Sequence, residues 1–268
     1  MKLLVSANSK EHLNSLLKKN IDGVILSIDK LAVNDSFYID VAYLDEIDFK
    51  DKEVFVSLNK LMHNNDLESL REVMLKLKDK DVRIIFYDMA VYNMAKELDM
   101  IDKLVISQDH LNASVLSNKF YLKRGIKASY ITSDITKDEL LEIKAKSGME
   151  VCFLGYGYAP IFYSRRYLIR NYLKYIHEDE GKEYKIVSDT DKVYPIKEEA
   201  YGTTIYTEEP INLINYLDEL KEIDYLVLKS NQIEDDEFNK MVDKFINHET
   251  VADPYVGFFN TKTIYKVK

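Results

Sequence analysis

Eight short apolar segments recur along the chain, and the first seven begin about 20–30 residues apart. This spacing is the length of a unit of one β-strand and one α-helix, the unit from which parallel sheets are built. Capping-box patterns at Asn65 with Glu68 and at Thr136 with Glu139 indicate helix starts between the segments. The predicted strands cover residues 3–7, 23–27, 54–58, 82–87, 104–107, 128–131, 151–154 and 225–228.

Alternating strands and helices favour a parallel sheet with right-handed crossovers, and eight such strands suffice to close a barrel. We therefore predict an α/β fold, a regular or irregular (β/α)8 TIM-barrel-like domain over residues 1–268. The spacing fails once, because about 70 residues (155–224) separate the seventh strand from the eighth. Loops that follow barrel strands lie at the active end, so residues 156–222 are expected to form an insert over the barrel mouth.

Local patterns predict further elements within and before this insert. Residues 164–175 read as a helix, residues 184–206 as a hairpin-like region, and Pro210 as the first residue of another helix. Residues 34–52 carry only a weak helical pattern. An apolar helical stripe closed by a glycine is predicted at Val115, Leu116, Phe120 and Gly125.

Composition narrows the classes of function. The chain has 46 acidic and 37 basic residues, a formal charge of −9, which argues against a generally basic nucleic-acid binder but leaves room for a local basic patch. Cys152 is the one cysteine, so a cysteine-rich metal site and an internal disulfide are both excluded. We expect no metal or cofactor. No apolar run reaches the length of a signal peptide or a membrane span, so we expect a cytoplasmic protein with no membrane contact.

Five segments, in the same order along the chain, resemble the peptidase U32 family, historically labelled collagenase-like proteases. They are VSLNKLMHNNDLESL (56–70), residues 109–140, MEVCFLGYGYAPIFYSRRYLIRNY (149–172), YGTTIYTEEPINLI (201–214) and GFFNTKTIYKVK (257–268). Cysteine-containing members of that family resemble iron–sulfur proteins that hydroxylate the tRNA wobble uridine or quinone precursors. The resemblance therefore implies a barrel with a role in tRNA modification.

Departures from the family pattern qualify this implication. Tyr167 and Asn212 stand where family motifs have Cys, Arg165 replaces a Gly, and His110 replaces a usual Gln. Near the eighth strand, LVLKSNQ (226–232) replaces a Lys-Ile-Glu-Gly-Arg-like motif. A single thiolate cannot hold the family's cluster, so we expect a short form without an iron–sulfur centre.

Three functions remain open. The first is a part in wobble-uridine hydroxylation (5-hydroxyuridine formation), with tRNA and a larger cysteine-containing U32 protein as partners. The second is a non-catalytic paralogue that binds a small anionic metabolite or a cysteine-containing partner subunit. The third is a peptidase, as the family label suggests, although the chain contains neither Gly-x-Ser-x-Gly nor His-Glu-x-x-His. Cys152 lies in an apolar strand pattern, where thiols are usually inert.

Polar residues that follow predicted strands are candidates for a ligand site at the mouth. Asn59 and His63 follow the third strand, Asp88 the fourth, and Asp109 with His110 the fifth. The alternative for each is local: an Asp at a helix start commonly caps that helix, and a His beside two Asn can lie in a turn. Tyr201, in a turn that leads into a strand, is a further candidate to line the site.

The insert holds an unusual basic cluster. The chain has six Arg, and three of them, Arg165, Arg166 and Arg170, fall within one turn and a half. Cations oppose the dipole at a helix start, a cost that is reasonable if Ser164, the arginines and the helix amides together bind an anion. Neighbouring tyrosines would suit single-stranded RNA. The alternative is a solvated helix whose arginines pair with the acidic run at 178–180.

Overall fold

All eight predicted apolar segments form strands in the computed structural model, which describes residues 1–108, 111–181 and 184–262. The strands are β1 (Lys2–Ser6), β2 (Gly23–Ile28), β3 (Tyr38–Ile39), β4 (Glu53–Leu58), β5 (Arg83–Phe86), β6 (Leu104–Ser107), β7 (Ala128–Tyr130), β8 (Glu150–Gly157), β9 (Pro160–Ser164), β10 (Tyr184–Val187), β11 (Val193–Glu199), β12 (Gly202–Tyr206), β13 (Ile211–Asn212) and β14 (Tyr225–Leu228). The helices are α1 (Lys10–Leu16), α2 (Leu67–Leu77), α3 (Met89–Glu97), α4 (Val115–Leu122), α5 (Lys137–Ser147), α6 (Leu168–Ile176) and α7 (Asp235–Ile246).

Eight of the strands close a parallel barrel in the order β1-β2-β4-β5-β6-β7-β8-β14. The ring closes at β1, where Val5 is paired with Val24 of β2 on one side and Leu228 of β14 on the other. Helices lie between the strands along the chain, so the predicted (β/α)8 TIM-barrel-like fold is confirmed. None of the helices in the described ranges is long and apolar enough to cross a membrane.

Two apolar layers stabilise the barrel. Its interior is filled by side chains from every barrel strand: Leu4, Ile25, Phe55, Ile85, Val105, Ala128, Cys152, Tyr225 and Val227. The other face of each strand packs against the helices, so the strands read as nearly continuous apolar runs. Cys152 points into the dry interior, and this burial raises the pKa of its thiol to about 12.

Helix starts follow local chemistry where a side chain can reach a free amide. The predicted box at α5 is present: the Thr136 amide donates to Glu139 Oε2 (2.8 Å) and the Glu139 amide to Thr136 Oγ1 (3.3 Å). The predicted box at Asn65 and Glu68 is wrong. Instead, a short 3-10 turn precedes α2, and the backbone amide of His63 donates a hydrogen bond to Asp66 Oδ2 (2.7 Å) at the start of this turn.

The stripe predicted at residues 115–120 is helical, but it does not form the buried face of α4. Leu116 is 77% exposed and Phe120 is 47% exposed, whereas Asn118 is buried. Asn118 Nδ2 donates to Asn112 Oδ1 (2.9 Å), and Asn112 donates in turn to Ser129 of β7. This buried polar chain sets the rotation of α4, so the helix turns the two apolar side chains outward.

The segment between β8 and β14 forms a second, antiparallel sheet in the order β10-β11-β12-β9. In this segment, α6 follows β9 along the chain. The helix predicted to begin at Pro210 is wrong, because Ile211 and Asn212 pair with Gly157 and Tyr156 as β13. Residues 34–52 form β3 and a 3-10 turn at Val41–Asp45.

Candidate functional site at the barrel mouth

A cavity of about 70 Å³ lies at the carboxyl ends of the barrel strands. Its apolar walls include Ile25, Ile85 and Leu154, which continue the barrel interior. Polar groups at its lining come from the ends of several strands: Ser57, Asn59, Ser107, Thr132, Ser133 and Lys229. An apolar cavity with a few convergent polar groups is the usual form of a ligand site in this fold.

Lys229, the residue after β14, carries the cation of this cavity. Its Nζ donates to Asp35 Oδ1 at 3.1 Å, and the two side chains are 16% and 5% exposed. The hydroxyl of Ser27 donates to the other oxygen of Asp35 at 2.6 Å. The carboxylate is therefore compensated on both oxygens, as a buried charge must be.

Hydrogen bonds of Tyr38 connect Asp35, the acidic partner in this ion pair, to the insert. The Asp35 amide donates to the Tyr38 hydroxyl (3.1 Å), which donates to Glu199 Oε2 on β11 (3.0 Å). Burial first, and then the nearby carboxylates of Asp35 and Glu199, raise the pKa of Tyr38 far above its ordinary value. Tyr38 therefore stays protonated and acts as the donor that joins the loop after β2 to the insert sheet.

A second buried cation, Lys60, follows β4. Its Nζ donates to Asp66 Oδ1 at 2.9 Å and lies 4.5 Å above the ring of Tyr201, which belongs to the insert. Burial works to raise the pKa of Asp66, but the hydrogen bonds from the His63 amide and Lys60 outweigh it and lower that pKa. Burial raises the pKa of Tyr201. The predicted candidate Tyr201 thus lies against a cation beside the mouth.

The other candidates that follow strands have mostly local partners. Asn59 lines the cavity, but both ends of its amide bond the backbone of Val33, at 2.9 and 3.0 Å. Asp88 caps α3 through the Ala90 amide (2.9 Å) and also accepts from the Met62 amide (3.0 Å). His63 is exposed. His110, with Asp109, lies outside the described residues.

The basic cluster has a more specific arrangement than the sequence predicts. The amides of Ile169 and Arg170 at the start of α6 donate to the carboxylate of Glu198, at 2.8 and 3.3 Å. Glu198 is 9% exposed and also accepts from the Thr203 hydroxyl at 2.9 Å. The expectation that these amides bind an external anion is therefore corrected, because the chain's own carboxylate occupies them.

The guanidinium groups of the cluster point to different partners. Arg165 Nη1 donates to the carbonyl oxygen of Met62, near the mouth, at 3.4 Å. The Arg166 amide donates to Ser164 Oγ (3.3 Å), and both arginine side chains are exposed. Arg170 Nε pairs with Glu180 at 3.2 Å, which is the pairing that the solvated-helix alternative describes. Among the described residues, no carboxylate forms an ion pair with Arg165 or Arg166.

The resemblance implies an iron–sulfur cluster in the cysteine-containing relatives, and the residues of this chain do not fit such a cluster. Such clusters require several thiolates, whereas Cys152 is the single cysteine and lies in the barrel interior. Within residues 1–108, 111–181 and 184–262, no three His, Cys, Asp or Glu side chains converge in a metal-binding group.

Lys229 and Asp35 are the functional candidates that sequence reasoning missed. Lys229 could have been predicted from the sequence, because it directly follows the eighth predicted strand and residues at that position lie at the barrel mouth. Asp35 had none, since it falls in the weakly patterned segment 34–52.

Comparison with known proteins agrees with this architecture. Residues 9–243 match peptidase family U32. The protein named tRNA hydroxylation protein P2, from Bacillus subtilis (strain 168), is 28% identical over 191 residues. The matched region covers 68% of this chain and 62% of that relative, so the chain spans less than two thirds of the relative's length. Because the family match includes every barrel strand except the first and also includes the insert, the chain belongs to peptidase family U32.

Proposed function

We propose that this chain takes part in tRNA hydroxylation, as a component of 5-hydroxyuridine formation at the wobble position. The observation that carries the proposal is the similarity to a protein named tRNA hydroxylation protein P2 over 68% of this chain. The chain has a single cysteine, which is buried, so it does not supply the thiolates of a cluster. Its own contribution is to bind and orient RNA or a partner. A larger, cysteine-containing U32 protein is the partner that would supply the oxidation.

The insert beside the mouth supports a role in RNA binding. Arg165 and Arg166 expose their guanidinium groups, and Tyr172 and Tyr175 on α6 are 62% and 81% exposed. Guanidinium groups bind phosphate and aromatic rings stack on unpaired bases, the combination used for single-stranded RNA. The wobble base lies in such a single-stranded loop.

Proteolysis has less support. A cysteine nucleophile acts as its thiolate, and burial raises the pKa of the Cys152 thiol to about 12, so this group stays protonated at neutral pH. It also lies among the side chains that fill the barrel interior and is not one of the residues that line the cavity.

A second candidate function is the binding of a small anion by a non-catalytic paralogue. The observation that favours it is the placement of Lys229 on the cavity lining, where a ligand carboxylate or phosphate would compete with Asp35 for the ammonium group. A cavity of about 70 Å³ admits only a small ligand or part of a larger one.

Mass spectrometry of tRNA nucleosides tests the proposal. Deletion of the gene in its own host should lower 5-hydroxyuridine and its derivatives, and expression of this chain should restore them. The double variant Arg165→Ala/Arg166→Ala should restore them less well than the control Arg71→Ala, an exposed arginine that pairs with Glu97 on the outer wall. Unchanged hydroxyuridine in the deletion strain would refute the proposal.

A further inference from the structure

The solvent face of α4 is unusual for a chain of net charge −9. Residues 111–133 contain four cations, Lys119, Lys123, Arg124 and Lys127, and no Asp or Glu. All four are exposed, and within the described part of the chain none of them forms an ion pair. This surface, with Leu111, Leu116 and Phe120, is called the α4 patch below.

The geometry of the helix gathers four of these residues on one side. Val115, Tyr121 and Leu122 pack towards the core and Asn118 is buried, so Leu116, Lys119, Phe120 and Lys123 share the opposite face at positions i, i+3, i+4 and i+7. Leu111 is 65% and Leu116 is 77% exposed. The patch therefore presents cations and apolar side chains together.

One contact within the patch is preorganised for stacking. The guanidinium carbon of Arg124 lies 3.4 Å from the centre of the Phe120 ring, and Arg124 Nη1 donates to the Phe120 carbonyl oxygen at 3.3 Å. The guanidinium group is held over the ring, and no carboxylate of the residues that the structure describes pairs with it. Stacked Arg and aromatic planes are surfaces on which unpaired bases stack.

Two carboxylates on the neighbouring helices already have partners outside the patch. Glu142 on α5 pairs with Lys146, and Glu97 on α3 pairs with Arg71. Since no carboxylate of the described residues forms an ion pair with the four cations, their charge is available for an outside anion. Lys119 and Lys123 are one helical turn apart, a rise of about 6 Å, which is comparable to the spacing of neighbouring phosphates in a nucleic acid strand.

We propose that the α4 patch binds the sugar–phosphate backbone of tRNA, with the Phe120–Arg124 pair stacking on an unpaired base. The cations and the stacked pair indicate that the ligand is RNA. That this RNA is tRNA rests on the proposed function. A second copy related by a two-fold axis would place like charges against each other, so the charge pattern opposes it. The α4 patch is thus an RNA surface on the outer wall of the barrel, separate from the arginines of the insert.

The test measures binding of fluorescently labelled total tRNA by anisotropy across a range of salt concentrations. The variant is Lys119→Glu/Lys123→Glu, and the control is Lys240→Glu/Lys244→Glu, which reverses two lysines at the same i, i+4 spacing on α7. The first variant should bind about tenfold or more weakly at 0.1 M salt, and the slope of log Kd against log salt should fall by about 2. The control should stay within about twofold of the wild type, because steering by total charge is screened by salt.

Arg124→Lys separates stacking from charge, since it keeps the cation and loses the planar group. It should weaken binding severalfold with the salt slope unchanged. Circular dichroism and thermal melting of each variant exclude misfolding as the cause; a variant that melts early is replaced by Lys119→Gln/Lys123→Gln.

Three outcomes overturn the inference. They are no measurable tRNA binding by the wild type at low salt, equal losses in the α7 control, or unchanged tRNA binding in the α4 variant. If the α4 variant binds tRNA normally but fails to restore hydroxyuridine, the patch is a protein-binding surface instead. If the α4 patch binds tRNA but deletion leaves hydroxyuridine unchanged, the inference stands and the proposed function falls.

Discussion

Replacing Lys229 with Met leaves the carboxylate of Asp35 buried without its countercharge. The side chain of Asp35 is 5% exposed, and its remaining side-chain donor is the Ser27 hydroxyl at 2.6 Å. Removing one partner of a buried ion pair costs about 3–5 kcal/mol. Because Ser27 still donates and Lys229 is itself 16% exposed, we expect a loss of about 3 kcal/mol in the free energy of unfolding.

The assay is urea unfolding followed by far-ultraviolet circular dichroism at neutral pH. Asp35→Asn alone should cost about 1–2 kcal/mol, because the lysine is better placed than the carboxylate to reach water. The double variant Asp35→Asn/Lys229→Met should lose less than the sum of the single variants, with a coupling of about 1–3 kcal/mol. Equal denaturant slopes in all four proteins are the control for a common unfolded state.

A loss below about 1 kcal/mol in Lys229→Met would refute the reasoning, because it would mean that the pair is as weakly coupled as one at the surface. Strictly additive losses in the double variant would refute it as well. Either result would remove the argument that Lys229 is held in place for a role in the cavity.

Three further predictions concern the insert, the core and the cofactor. Glu198→Ala should cost about 2 kcal/mol by leaving the α6 amides unpaired, with faster hydrogen exchange at Ile169 as the local measurement; protection equal to the wild type would contradict the capping role. Cys152 should resist iodoacetamide in the folded protein at pH 8 and react on unfolding; because burial raises its pKa from 9.0 to about 12, its stabilising contribution is complete below pH 9 and is lost between pH 9 and 12, so Cys152→Ala should make the loss of stability over this pH range less steep. Purified protein should show no iron–sulfur absorption, and a cluster formed on anaerobic reconstitution of the chain would contradict the interpretation of its missing cysteines.

The barrel could be predicted because its strands are buried on both faces. Each strand is then a short apolar run, and the distance between runs reveals the crossover helices. The predictions that failed depend on partners distant in sequence. Pro210 is a good first residue for a helix, yet Ile211 and Asn212 pair with β8. The stripe at Leu116 and Phe120 faces solvent because a buried asparagine sets the rotation of α4.

The site was predictable only where a residue's place along a strand decides its position. Asn59 and Lys229 follow strands and do line the cavity, although only Asn59 is a candidate from sequence. Hydrogen bonds decided the rest: the backbone of Val33 engages the Asn59 amide, and Glu198 occupies the amides that the arginine cluster was expected to offer. These partners cannot be read from local patterns, because they depend on which loops the fold brings together.

The order of residues along the chain is enough to predict the barrel and the interruption between the seventh and eighth strands, and it excludes a cluster held by several thiolates of this chain. These features follow from the spacing of apolar runs and from a cysteine count of one. Which charges form ion pairs depends instead on how the folded chain brings distant segments together. Asp35 and Lys229 are 194 positions apart, and they form an ion pair because closure of the barrel places β14 next to β1 and β1 next to β2. A parallel barrel gathers the carboxyl ends of all its strands at one rim, so residues from both halves of the chain become neighbours there.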